Sequence, residues 1–183
     1  MESKIQSRST GTEDAVAILI ADHKKVQKLC KEFETLKEAG KAAARAKIVE
    51  QVCMELTIHA QIEEEIFYPS VRKAIHDDDM MDEAQVEHNG AKELIAQLQS
   101  MEPGDDLYDA KFIVLGENVN HHIKEEQDEM FPKVRKAKLD LDALGKQLVQ
   151  RKQELQEEVG LAPATGIAPR KSSATSSRKH SAA

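Results

Sequence analysis

The sequence predicts an all-α protein: an up-down-up-down antiparallel four-helix bundle with a short fifth helix and a disordered C-terminal tail. Three observations predict it. Apolar residues recur at intervals of three and four along most of the chain, the signature of amphipathic helices. Charged residues make up 32% and aromatics 3%, with no Trp and little Gly or Pro before residue 160, a balance that favours helix over sheet. One segment also occurs twice, as Leu-Thr-Ile-His-Ala-Gln-Ile-Glu-Glu-Glu-Ile-Phe-Tyr-Pro from Leu56 and as Val-Asn-His-His-Ile-Lys-Glu-Glu-Gln-Asp-Glu-Met-Phe-Pro from Val119.

Thr12 is suited to cap a first helix, with Glu13 and Asp14 placed for its dipole. Val16, Leu19, Ile20, His23, Val26, Cys30 and Phe33 then form one stripe, which ends near Gly40. A second helix is predicted from about Ala42 to Phe67, striped by Ile48, Val52, Leu56, His59, Ile62, Glu63 and Ile66. Pro69 should end or kink it, since proline lacks the N–H and its ring meets the carbonyl four residues back. Ser70 to Ile75 reads as a short helical turn, and His76 to Asp79 as a solvated connection.

A third helix should begin near Met80 and carry Met81, Ala84, His88, Ala91, Ile95 and Leu98 on one side. Pro103-Gly104-Asp105-Asp106 marks a loop. The fourth helix, from about Leu107 to about Pro132, aligns Phe112, Leu115, Val119, His122, Glu126 and Met130. Leu141, Leu144, Leu148 and Leu155 suggest the fifth. The division expected is residues 1–11 as a flexible N-terminus, 12–137 as the bundle, 138–160 as the added helix and 161–183 as a disordered basic tail.

The net charge is −7, and residues 161–183 carry four basic residues and no acid, which leaves the first 160 residues at −11. So acidic a body argues against nucleic-acid binding by the folded part. The longest apolar run, Ala15 to Ala21, is too short to span a bilayer, and the first eleven residues lack a signal peptide's apolar centre. A soluble, cytoplasmic protein is expected. Cys30 and Cys53 have no metal-type spacing, and Cys30, on the face of His23, reads as a buried free thiol.

Both copies of the repeat set a His four residues before a Glu and ten before a Pro: His59, Glu63, Pro69 and His122, Glu126, Pro132. Four residues is just over one turn, so each His and its Glu share a face. His23 and His88 lie about ten and eight residues into the first and third helices. In an antiparallel bundle all four imidazoles then meet at one level, ~15 Å from the same end. Single histidines on apolar faces are usually core fillers. Four in one layer with two carboxylates point to a metal, because buried charges are costly unless paired or bound to one.

These elements resemble the hemerythrin family, specifically its hemerythrin-like "HHE cation-binding" members, over about residues 13–135. The resemblance implies a bundle holding two non-haem iron ions joined by an oxo or hydroxo bridge. Carried over, His23 and His59 bind one iron, His88 and His122 the other, and Glu63 and Glu126 bridge them. Oxygen carriers of the family have a second His four residues along the third helix; here Lys92 stands four after His88 and Ala84 four before. Open metal positions are therefore expected. Glu55, four before His59, is an extra ligand or an acceptor for a ligand's second N–H.

The remaining polar candidates read more plainly. His121 points ~100° away from His122, outside the site or beside it. Glu64, Glu65, Glu125 and Glu129 read as a solvated face, and His76 and His180 as exposed. Tyr68 should pack beside Pro69, with Tyr108 too far along the helix for redox contact.

The function expected is binding of O2 or a related small ligand, NO or peroxide, for sensing or stress protection, with enzymatic chemistry left open. The alternatives are a di-iron oxidoreductase consuming peroxide and an iron-responsive or iron-storage module. Storage is disfavoured because the Glu-x-x-His spacing of ferritin-like proteins is absent.

Overall fold

A computed structural model of the chain describes residues 14–160. The regular elements among the described residues are all helices, as expected, without a strand. Asp14 rather than Thr12 caps α1 (Ala15–Glu38), accepting from the Ala17 N–H at 2.8 Å; Thr12 lies outside the described residues, as do the segments expected to be flexible at either end. Gly40, at φ +67°, turns the chain out of α1 in the left-handed region that glycine enters freely. Helix α2 (Ala42–Ile62) then runs back along α1.

Pro69 does not end the second helix. Residues Glu63–Phe67 form one π-helical turn, in which the Tyr68 N–H reaches the Glu63 carbonyl, and α3 (Tyr68–Ile75) continues with Pro69 in its first turn. The wider turn takes up a residue whose ring would collide with the carbonyl of Glu65 in an unbroken α-helix. The second copy of the repeat does the same: α5 (Tyr108–Glu125) opens into a π-turn at Glu126–Met130, and α6 (Phe131–Lys136) carries Pro132.

Between these rods His76, in the left-handed region at φ 53°, stops α3. Asp77 caps α4 (Asp78–Gln99), which therefore starts two residues before Met80. The four rods pack antiparallel in sequence order, with α1 also meeting α5 and α2 meeting α4. No helix among the described residues is long and apolar enough to cross a membrane.

The core is in two parts. One, with Leu19, Ile62, Phe67, Met81, Phe131 and Val134, lies toward the prolines. The other, with Val26, Phe33, Val52, Ile95, Phe112 and Leu115, fills the opposite end. The four histidines occupy the level between them.

The fifth helix, α7 (Leu141–Glu158), is capped by Asp140 and lies across α1, α2 and the first π-turn. Leu144, Leu148 and Leu155 belong to the proline-side core, and Arg151 and Lys152 pair with Glu65 and Asp22. Leu148 is fully buried. Leu148→Ala is expected to cost about 2–5 kcal/mol. For a chain of this size that is a fall in Tm of ~2–4 °C per kcal/mol, read by thermal denaturation with the helix signal intact at low temperature.

Candidate metal centre

All six residues singled out by the repeat come together. His23 and His59 face each other with Nε2 atoms 3.1 Å apart, and so do His88 and His122. The two glutamates lie between the pairs. Glu63 Oε2 is 3.2 Å from His59 Nε2 and 3.4 Å from His88 Nε2; Glu126 Oε2 is 3.1 Å from His23 Nε2 and 3.6 Å from His122 Nε2. Each carboxylate thus reaches one imidazole of either pair. The arrangement is a compact set of donors, with Glu63 common to two groups able to hold a cation.

The donors lack partners of their own. Glu63 is fully buried, and neither of its oxygens has a hydrogen-bond partner; Glu126 Oε2 likewise has none of hydrogen-bonding geometry. Such orphans inside a core are expensive, and a cation is what would satisfy them. Burial, reinforced by the Glu126 charge, pushes Glu63 up to about 8. Burial acts against ionisation of Glu126 too, but the close approach of His23 and the other surrounding imidazoles outweigh it and lower its pKa. For His122, burial disfavours the charged ring, yet the Glu87 hydrogen bond and the Glu126 and Glu63 charges raise its pKa. Donors this hungry for positive charge fit a metal.

Three of the four outward nitrogens are held by residues that the sequence did not single out as partners. His88 Nδ1 lies 2.9 Å from Glu64 Oε1, and His122 Nδ1 lies 2.7 Å from Glu87 Oε2. His59 Nδ1 faces Asp22 at a longer 3.5 Å, and His23 Nδ1 meets the Gln127 amide at 3.0 Å. With that amide turned over, its carbonyl would accept from the ring N–H and leave the inward nitrogen with its lone pair free. Carboxylate-backed imidazoles of this kind are the usual support of metal-binding histidines. Glu64 and Glu87 adjoin Glu63 and His88 in sequence, but adjacent residues on a helix lie about 100° apart, so helical spacing gave no signal for them.

Several expectations change. Glu64 is not simply part of a solvated face, because it accepts from His88 and is held by Lys92 at 2.5 Å. Glu55 is buried but pairs with Lys25 at 2.5 Å and reaches no imidazole. Tyr68 does more than pack near Pro69: its hydroxyl stands among His88, His122 and Glu126. Cys30 is half-buried, and Cys53 is the fully buried thiol.

Other readings hold. His121 is exposed, paired with Glu125, and His76 is exposed. Tyr108 is buried in the far core, and Glu65 and Glu129 are exposed. His180 lies outside the described residues.

An apolar cavity of about 40 Å³ adjoins the imidazoles, walled by Val26, Leu56, Ala91, Ile95, Val119 and Ile123. That is room for a water or a diatomic molecule.

The structure thus sets a buried cluster of four histidines and two glutamates, able to hold a cation, inside a four-rod helical bundle. Residues 14–134 match the model of the hemerythrin HHE cation binding domain, and the chain belongs to that family. A crystal structure of a hemerythrin HHE cation binding domain-containing protein from Mycobacterium kansasii superposes with a TM-score of 0.67 at 18% identity, covering 80% of this chain and 89% of that one. A curated relative, described as a DNA nickase of Nostoc sp. (strain PCC 7120), is 27% identical over 118 residues, which is 64% of this chain. The matched region is 32% of that relative's length, so the likeness covers about a third of it.

Proposed function

We propose that this chain holds two iron ions and uses them to bind O2 or a related small ligand, NO or peroxide, for sensing or stress protection. His23 and His59 would hold one ion and His88 and His122 the other, with Glu63 and Glu126 spanning the pair. The observation that carries this reading is the meeting of two inward-facing imidazole pairs with orphaned carboxylate oxygens in a single buried layer. Iron there would supply a reversible change of redox state and a position for a small ligand.

The protein's own part is legible in its residues. Glu64 and Glu87 hold the imidazoles of His88 and His122 in the tautomer with the lone pair inward. The apolar walls admit a small uncharged molecule to the cavity and disfavour ions. Lys92 and Lys25 pair with Glu64 and Glu55 at the margins and offset their charge there.

The deciding measurement is metal content together with the optical spectrum of the oxidised and reduced protein, before and after exposure to O2 or NO. Two irons per chain and a ligand-dependent spectrum are expected. A chain loaded to two irons whose spectrum ignores both gases would remove the ligand-binding role, and catalytic loss of added peroxide would move the reading to the oxidoreductase.

A further inference from the structure

The four histidines do not draw their support from the same part of the chain. Glu64, Glu87 and Gln127, which meet the outward nitrogens of His88, His122 and His23, all lie within the residues 14–134 that match the family model. His59 is the exception. Its Nδ1 faces Asp22 Oδ2 at 3.5 Å, and neither atom has another partner among the described residues. The other oxygen of Asp22 is taken by Lys152, on α7 beyond the matched residues.

Burial makes that lysine matter. Asp22 is a buried carboxylate, and only 17% of the Lys152 side chain is exposed. A carboxylate so placed is costly to keep ionised without a partner, so removal of the ammonium would drive it to swing outward or to take up a proton. Either change weakens it as an acceptor for His59 Nδ1–H and frees the ring to turn. The neighbouring pair on α7 differs. Arg151 and Glu65 meet where both are more exposed, and Glu65 touches no imidazole.

We propose that Lys152 is a positioning residue for the metal centre: through Asp22 it holds His59 in its ligand orientation, so the docking of α7 governs the grip on the ion held by His23 and His59. The inference rests on the proposed iron centre and adds to it a control point outside the bundle. The ion held by His88 and His122 is backed by Glu64 and Glu87 and stays independent of α7. Docking of α7 and binding at the His23–His59 position are then linked, and each strengthens the other by the same factor. Loss of that ion loosens the helix whose Leu144, Leu148 and Leu155 complete the proline-side core, which would turn the state of the metal into a change at the surface.

The test is release of iron from the reduced full-length protein to an excess of a ferrous chelator, followed by absorbance. Lys152→Met keeps the apolar stem and removes the charge. One of its two irons is expected to leave about 10–100-fold faster than in the parent, the range for loss of a ligand's outer partner, with the other close to the parental rate. Lys152→Arg keeps a cation and should restore slow release, which a loss of packing alone would not predict. Asp22→Asn should match Lys152→Met, and the two together should add little, since both cut one link. Arg151→Met removes the exposed pair and should leave both rates unchanged. Should Lys152→Met fold poorly, Asp22→Asn and Lys152→Arg carry the comparison. Two irons released at parental rates from Lys152→Met or Asp22→Asn would overturn the role of Lys152 and leave the proposed centre standing. Equal acceleration of both irons, or the same acceleration in Arg151→Met, would overturn it too. A parent chain that takes up no iron would overturn both.

Discussion

His59→Ala combined with His122→Ala is expected to strip the iron from the protein while leaving a folded bundle. Each substitution removes one of the two imidazoles of a pair, and each removed Nε2 is also a neighbour of a glutamate that spans the pairs, Glu63 for His59 and Glu126 for His122. Losing an outer partner of a metal ligand typically costs about 10–100-fold in affinity. Loss of the ligand itself should exceed that at both ions, so iron should fall to background after desalting. Glu87→Gln, which alters only the partner of His122 Nδ1, should fall within the smaller range. The helices should survive, because the two core regions on either side of the histidine level retain their apolar contacts. Metal analysis beside circular dichroism reads both parts. Full iron occupancy in the folded double variant would show that these histidines are not the ligands.

Why the histidine layer was readable from sequence while Tyr68 was not is a matter of helix geometry. His23, His59, His88 and His122 each sit in an apolar stripe of regular period, and short connections force neighbouring rods antiparallel, so equal distances from one end place them together. The stripe continues to Glu63 and Glu126 because they open the π-turns and stand before the extra residue shifts the register. Beyond them the period breaks. A single π-turn advances the chain by one residue without advancing the pattern, so a residue read as facing away faces the core. Pro69 and Pro132 marked the places but suggested an end or a kink, not a shift in register. The outer carboxylates were hidden for a different reason. Glu64 sits in a run of three glutamates, where period says solvent, and only the approach of α4 turns it into the partner of His88. Asp22 acquires its role from α7, whose Lys152 holds the carboxylate beside His59. Contacts between rods decide such cases, and one sequence read helix by helix does not contain them.

Removing the iron is expected to lower the melting temperature by on the order of 10 °C at neutral pH, and by more as the pH rises. A ligand that binds only the native state at 1,000 times its Kd stabilises by about 4 kcal/mol, and a chain of this size moves ~2–4 °C per kcal/mol. The dependence on pH follows from Glu63. With no cation present, burial and the Glu126 charge raise it to about 8, whereas an unfolded glutamate titrates near 4.3. Between those values the folded metal-free chain keeps a proton that the unfolded chain has released, so stability falls as pH rises through the window. Glu126, lowered in the fold, acts oppositely, and its contribution is lost only as pH drops below the ordinary carboxylate range. Neutral pH therefore lies on the falling side for the metal-free protein. In the proposed centre a metal would take the place of the Glu63 proton, and its binding would strengthen as that proton becomes easier to displace. The gap between loaded and metal-free melting temperatures should then widen from pH 5 to pH 8, most of the helix signal surviving below the transition in both forms. Equal melting of the two forms at pH 8 would mean that the buried carboxylates are satisfied without metal, and the reading of Glu63 as an orphan awaiting a cation would fail.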